Sequence, residues 1–369
     1  MQPASSAPLT GFWRHCAGSI RRTFADHVPL YVCAAAFCAA TVAIAIAYRI
    51  PLPFDAATIF LIVVPQFVLL GFGLGMAHQL ALMAKSGFPA KPSLALMRWT
   101  KALLLDGERP GNIFHTLVVF TPLMICFAAL KDQIPHIHPF AWDQTFAHWS
   151  RFIGFGRYPW QWLQPIFGTP AMTAALSLLY DVWFVLMFGS LILVAFAARN
   201  SRLRMQFLLA FAFEWFIAGN VLAAVLSSAG PCFYGFLVHG PNPYAAQMAY
   251  LHRAAQHWPV WSVWTQNLLW TSYKTGMGDV AGISAMPSMH VTSTTLMAIM
   301  AWRVNRKLGV AMWIYTVLIV IASIHLAWHY AVDGIAGLVL AFAFWRAAEA
   351  VLRLFAARAR ALPAEAPAY

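Results

Sequence analysis

The feature that most constrains this chain is a series of apolar blocks 18 or more residues long, separated by short basic clusters. At 1.5 Å per helical residue, such a block matches the roughly 30 Å hydrocarbon layer of a bilayer. Charged residues make up 10% of the chain and hydrophobic ones 61%, against roughly 25% charged in a soluble domain. A water-soluble core has no use for that much apolar surface. The sequence therefore predicts an all-α, polytopic membrane helix bundle.

Eight spans are predicted, over 30–50, 56–84, 112–130, 171–198, 204–228, 287–303, 308–328 and 332–352. The stretch 308–345 would be about 57 Å long as one helix, so it must reverse, and the reversal is expected between Ser323 and Tyr330. With the N-terminus inside, 18 of the 24 Lys and Arg residues fall on the inner side and 6 on the outer. Basic residues favour the cytoplasmic side of short loops, so this orientation is predicted, in the inner membrane of a bacterial cell. The net charge of +12 is accounted for by topology. The basic clusters form no amphipathic face of the kind that binds nucleic acid.

The expected organisation is a cytoplasmic segment over 1–29, N-terminal spans over 30–130 and an outer interfacial segment over 131–170. A catalytic transmembrane unit over 171–353 and a cytoplasmic tail over 354–369 follow. The first apolar run carries no cleavage site and reads as a retained span. Segment 131–170 is rich in Trp, Phe and Pro, as interfacial elements are. The outer loop 229–286 is long enough to carry short helices of its own, with an amphipathic run over 244–274. The five cysteines show no paired spacing, so neither a disulfide framework nor a zinc site is expected.

Two motifs meet on the predicted outer face. One reads Gly282-Ile-Ser-Ala-Met-Pro-Ser-Met-His290, the other His329-Tyr-Ala-Val-Asp333. Ionisable groups at a membrane interface are costly and tend to be functional. Four positions apart on a helix, His329 and Asp333 would share one face. The carboxylate would hold one imidazole nitrogen protonated and leave the other lone pair free to attack phosphorus. Pro287 and Ser288 open the next helix, whose free backbone N–H groups can bind an anion. His290, in that same first turn, is placed to protonate a departing alkoxide.

The pattern Pro287-Ser288-Met289-His290 followed by His329-x-x-x-Asp333 resembles the second and third signatures of the type 2 phosphatidic acid phosphatase superfamily. These are integral membrane lipid phosphatases and phosphotransferases with a six-helix core. The Ala285-to-His290 form and the His329-Tyr330 pair look closest to the inositol phosphorylceramide synthase-like branch. The resemblance implies His329 as phosphohistidine nucleophile, Asp333 as its orienting partner and His290 as general acid. It implies a lipid phosphate substrate, water or a lipid alcohol as acceptor, and no cofactor.

The chain departs from that pattern in ways that bear on phosphate binding. Met289 stands where the phosphatases have Gly, and Ala322 and Ser323 stand where they have Ser-Arg. The first signature, Lys-x6-Arg-Pro, is matched only by Lys101 to Arg109-Pro110, one residue too long and on the inner side. The arginine that would grip phosphate is thus missing. Candidates to replace it are His325, Lys274, Arg253 and the backbone from Gly230 through Tyr234 to Gly235. A zinc site from His325, His329 and Asp333 lacks a glutamate base and a second ligand cluster, so no metal is expected. The rival from another class is a proton-coupled transporter or flippase that uses Asp181 and Glu214, two carboxyls inside predicted spans.

Overall fold

The computed structural model describes residues 7–50, 55–275 and 282–361. The last part of the tail expected at 354–369 and the first residues of segment 1–29 lie outside them. Among the described residues there is no strand. The helices, in order, are α1 (Ala7–Tyr48), α2 (Asp55–Ser86), α3 (Pro92–Leu105) and α4 (Arg109–Lys131). Three short helices follow, α5 (Ile134–Ile137), α6 (Asp143–Ile153) and α7 (Pro159–Phe167), then α8 (Pro170–Ala195) and α9 (Arg202–Phe213). α9 continues through a π-helical stretch, Glu214–Leu222, into α10 (Ala223–Val225). The outer loop carries α11 (Tyr234–Leu237), α12 (Ala245–Ala255) and α13 (Trp261–Thr275). The chain closes with α14 (Met289–Val304), α15 (Arg306–His325) and α16 (Ala331–Ala361).

Six helices among the described residues are long and apolar enough to cross a membrane: α1, α4, α8, α9 with its continuation, α15 and α16. The protein is thus an all-α, multi-pass bundle. The two other blocks expected to cross form α2 and α14. With 16 residues, α14 is about 24 Å long, and it packs against α8, α9, α15 and α16.

Local chemistry sets the helix starts. Thr169, Ser201 and Ser288 each accept a bond from a first-turn N–H of α8, α9 and α14, and Asn305 accepts from Lys307 and Leu308 N at α15. Side-chain oxygens at these positions satisfy donors that the helix cannot. The reversal between α15 and α16 falls in 326–330, within the expected stretch. There the N–H groups of Trp328 and His329 both donate to Ser323 O, at 3.0 and 3.1 Å, and Ala327 takes φ 62°. Close helix approach comes from small residues. A Cβ on Gly337 would lie 2.7 Å from Ser288 O, so glycine there lets α16 cross the start of α14.

Candidate active site

The two motifs meet at one end of the bundle. His329 lies in the turn before α16, not on the helix, because its N–H is taken up in closing α15. Asp333 sits in the first turn of α16, fully buried, and its Oδ2 accepts from His329 Nδ1 at 3.3 Å and from Tyr330 N at 2.9 Å. A carboxylate only accepts, so Nδ1 carries the proton and Nε2 keeps its lone pair. At 3.3 Å the bond to Nδ1 is long. Asp333 Oδ1 is buried without a partner among the described residues.

Ser288 joins the two motifs through backbone, its N–H donating to Asp333 O at 3.2 Å. This fixes the first turn of α14 against the first turn of α16. His290 projects from that turn, and its ring centre lies 6.1 Å from that of His329, nearly edge to face. The His290 ring stacks on Tyr180 at 4.1 Å and lies 3.9 Å from Trp183. Trp183 is itself held by a 2.6 Å bond from Nε1 to Ser293 Oγ, one turn further along α14. Two aromatic faces stabilise an imidazolium between them. A phosphate arriving beside it would supply the counter-charge.

Asp143, at the start of α6, ties the turn around His329 to the outer loop. Its carboxylate accepts from Ala229 N, from Gly230 N at 2.8 Å and from Tyr330 Oη at 2.8 Å. Burial pushes the Asp143 carboxyl above the usual range, against these bonds, which hold it down. Burial and the Asp143 charge push the Tyr330 hydroxyl well up, so it stays a donor. Gly230 is required here. Its φ is +103°, and a Cβ would lie 2.6 Å from Trp328 O. Cys232 N donates to Ala327 O, so the loop 229–232 runs against the 327–330 turn.

The structure thus brings His290, His329, Asp333, Ser288 and Gly230 together. Tyr234 is buried one ring away, packed on Tyr244, which packs on Tyr330. His325 is separate, with Nε2 bonded to Thr173 Oγ1 at 3.0 Å and its ring near Phe167 and Tyr250. Arg253 and Lys274 are exposed on α12 and α13, and Lys274 lies over the Trp270 ring. Among the described residues no contact joins either to the histidines. Asp181 borders an outer groove with Phe184, Trp261 and Trp264, while Glu214 is buried in the π-helical stretch near Ser293. Among the described residues no contact joins these two carboxyls.

Sequence reasoning missed Asp143, Lys131 and the Tyr180–Trp183 stack. Asp143 is a single acid in an aromatic-rich outer segment, and only the folded chain shows what it holds. Lys131 read as a topology charge. It ends α4 with Nζ donating to Gly219 O at 3.3 Å and to Ser284 Oγ.

The fold and site are thus those of a membrane-embedded helical bundle with two histidines and a carboxylate converging at one end. The family model of the PAP2 superfamily matches residues 144–347, more than half of the chain, and the chain belongs to that superfamily. No curated protein and no solved structure matches it. The superfamily points to a phosphatase or phosphotransferase, with lipid phosphate as the substrate of a membrane-embedded member.

Proposed function

We propose that the protein moves a phosphate-containing head group off a membrane lipid through a phosphohistidine at His329. The observation that carries this reading is the buried His329–Asp333 pair facing His290 across 6.1 Å. His329 Nε2 attacks phosphorus and the bond to the leaving oxygen breaks. His290 gives that oxygen its proton, so the departing group leaves as a neutral alcohol. Asp333 stabilises the charge that develops on the His329 ring and holds its tautomer. In the second half, water or a lipid hydroxyl gives its proton to His290 and attacks the phosphohistidine, which frees His329.

The lipid character of the substrate is supported by the membrane-spanning helices and the superfamily. An apolar cavity of about 530 Å³ between α8, α9, α14 and α15 is lined by Arg204, Val304 and Met312 among others. It lies at the end of the bundle opposite His290 and is separate from the site. The positive-inside bias supports a site on the periplasmic face of the inner membrane. Of the two acceptors, a lipid hydroxyl corresponds to the inositol phosphorylceramide synthase-like branch and water to a phosphatase. Lipid mass spectrometry of the reconstituted protein, with and without ceramide or diacylglycerol, separates them.

A leaving-group series tests the roles. His290→Ala should slow a lipid phosphate ester by about 10²–10⁴-fold and slow an activated aryl phosphate far less. Equal losses on both substrates would remove His290 from the acid role.

A further inference from the structure

We propose that Lys131 is the cation that grips the phosphate in the His329 site, in place of the arginine absent at Ala322–Ser323. The inference rests on the phosphoryl-transfer reading above and adds the residue that recognises the non-bridging phosphate oxygens. Lys131 ends α4 at the same end of the bundle as the histidines. Its stem packs over Gly282, where a Cβ would lie 2.4 Å from Lys131 Cγ. Its ammonium donates to Gly219 O and Ser284 Oγ, and Gly219 packs against Met289, the neighbour of His290, where a Cβ on Gly219 would lie 3.1 Å from Met289 Cε. Ser284 precedes Ala285, whose N–H donates to Ser228 O, so Lys131 borders the loop that delivers Ser288 and His290.

Three observations set this lysine apart from a structural one. Both of its hydrogen bonds go to neutral oxygens, and none of the ion pairs among the described residues includes it. Lys131 is half-buried, and an ammonium partly withdrawn from water without a counter-charge is costly, which an apolar side chain of similar length would avoid. It has three N–H donors, and one remains for an anion. Next to Gly219 in the chain, Asn220 is 3% exposed and among the described residues has no partner for either atom of its side-chain amide. The other candidate cations are elsewhere, with His325 bonded to Thr173 and Arg253 and Lys274 on exposed helix surface.

The test uses full-length protein in detergent and inorganic phosphate as the probe, with binding read by calorimetry and turnover by lipid phosphate release. Lys131→Gln should weaken phosphate about 10- to 100-fold and raise KM. Lys131→Arg should come back to within a few-fold of the native protein, and Arg253→Ala and Lys274→Ala should change nothing. Equal phosphate affinity in the Gln and Arg variants overturns the assignment. Should Lys131→Gln not fold, the native protein decides. Phosphate must protect Lys131 from an amine-reactive reagent, as read by mass spectrometry, and no protection overturns it. A failure of the site reading looks different, because His329→Ala would then keep lipid phosphate turnover whatever stands at 131.

Discussion

Two polar clusters, each built from a pair of histidines and a basic residue, lie at opposite ends of α4 and α9. At the inner end, Arg204 is 2% exposed and all five of its N–H groups are used. They go to Val194 O, His27 Nε2, Asn200 Oδ1, Asn112 O and Thr116 Oγ1. His27 Nδ1 donates to Thr23 O, and His115 bridges Tyr31 Oη and Ile20 O. At the other end, His329 Nε2, both ring nitrogens of His290 and Asp333 Oδ1 have no hydrogen-bond partner among the described residues. The residue types are alike and the bookkeeping of donors and acceptors is opposite. Buried polar groups are nearly always paired. The Arg204 cluster leaves over Asn112 Oδ1 but pairs every donor of its basic residue, as a tie between helices does, whereas the open cluster is where a ligand belongs.

The comparison breaks first at Arg204. Arg204→Met orphans several buried acceptors and should cost about 3 kcal/mol or more of stability, seen as a lower thermal transition in detergent. Turnover per folded molecule should stay within about twofold of native at a temperature where both are folded. His329→Ala should do the reverse, with the transition nearly unmoved and turnover lost. An Arg204→Met protein that melts normally but does not turn over would erase the distinction between the two ends.

A smaller effect sharpens it at Asp143. Its carboxyl is raised in the folded protein by burial, above the roughly 3.9 of an unfolded chain. The fold therefore favours the protonated acid. That contribution is full below the unfolded value and is lost as pH rises through the raised one. The native transition should fall relative to that of Asp143→Asn over this window, by a few degrees at most. A difference that does not vary with pH would mean that the bonds from Ala229, Gly230 and Tyr330 balance desolvation, and one that rises with pH would mean that they outweigh it.

Much of this was legible in the sequence because membrane segments and short-range motifs are local signals. Block length gave the helices, the excess length of 308–345 gave the reversal, and the spacing of His290, His329 and Asp333 gave the histidines at one end. What stayed hidden depends on distant pairing. Asp143 meets Ala229 and Tyr330 across 86 and 187 positions, and Lys131 meets Ser284 across 153. Nothing in the neighbouring sequence marks either as more than a surface charge. The helical rule placed His329 and Asp333 on one face, whereas the contact forms across the turn before α16, since Ser323 O draws the His329 N–H back toward α15. Arg204 shows the opposite limit. A charge counted as topological is a buried tie between α1, α4 and α9.

The central claim is a covalent intermediate on His329. Purified protein mixed with a lipid phosphate labelled in its phosphoryl group, quenched in alkali within one turnover and digested, should yield a peptide phosphorylated at His329, with a base-stable and acid-labile bond. His329→Ala should give none, and Asp333→Asn should give less and more slowly. A labelled His329→Ala protein, or native protein that turns over with no label at His329, would contradict the account.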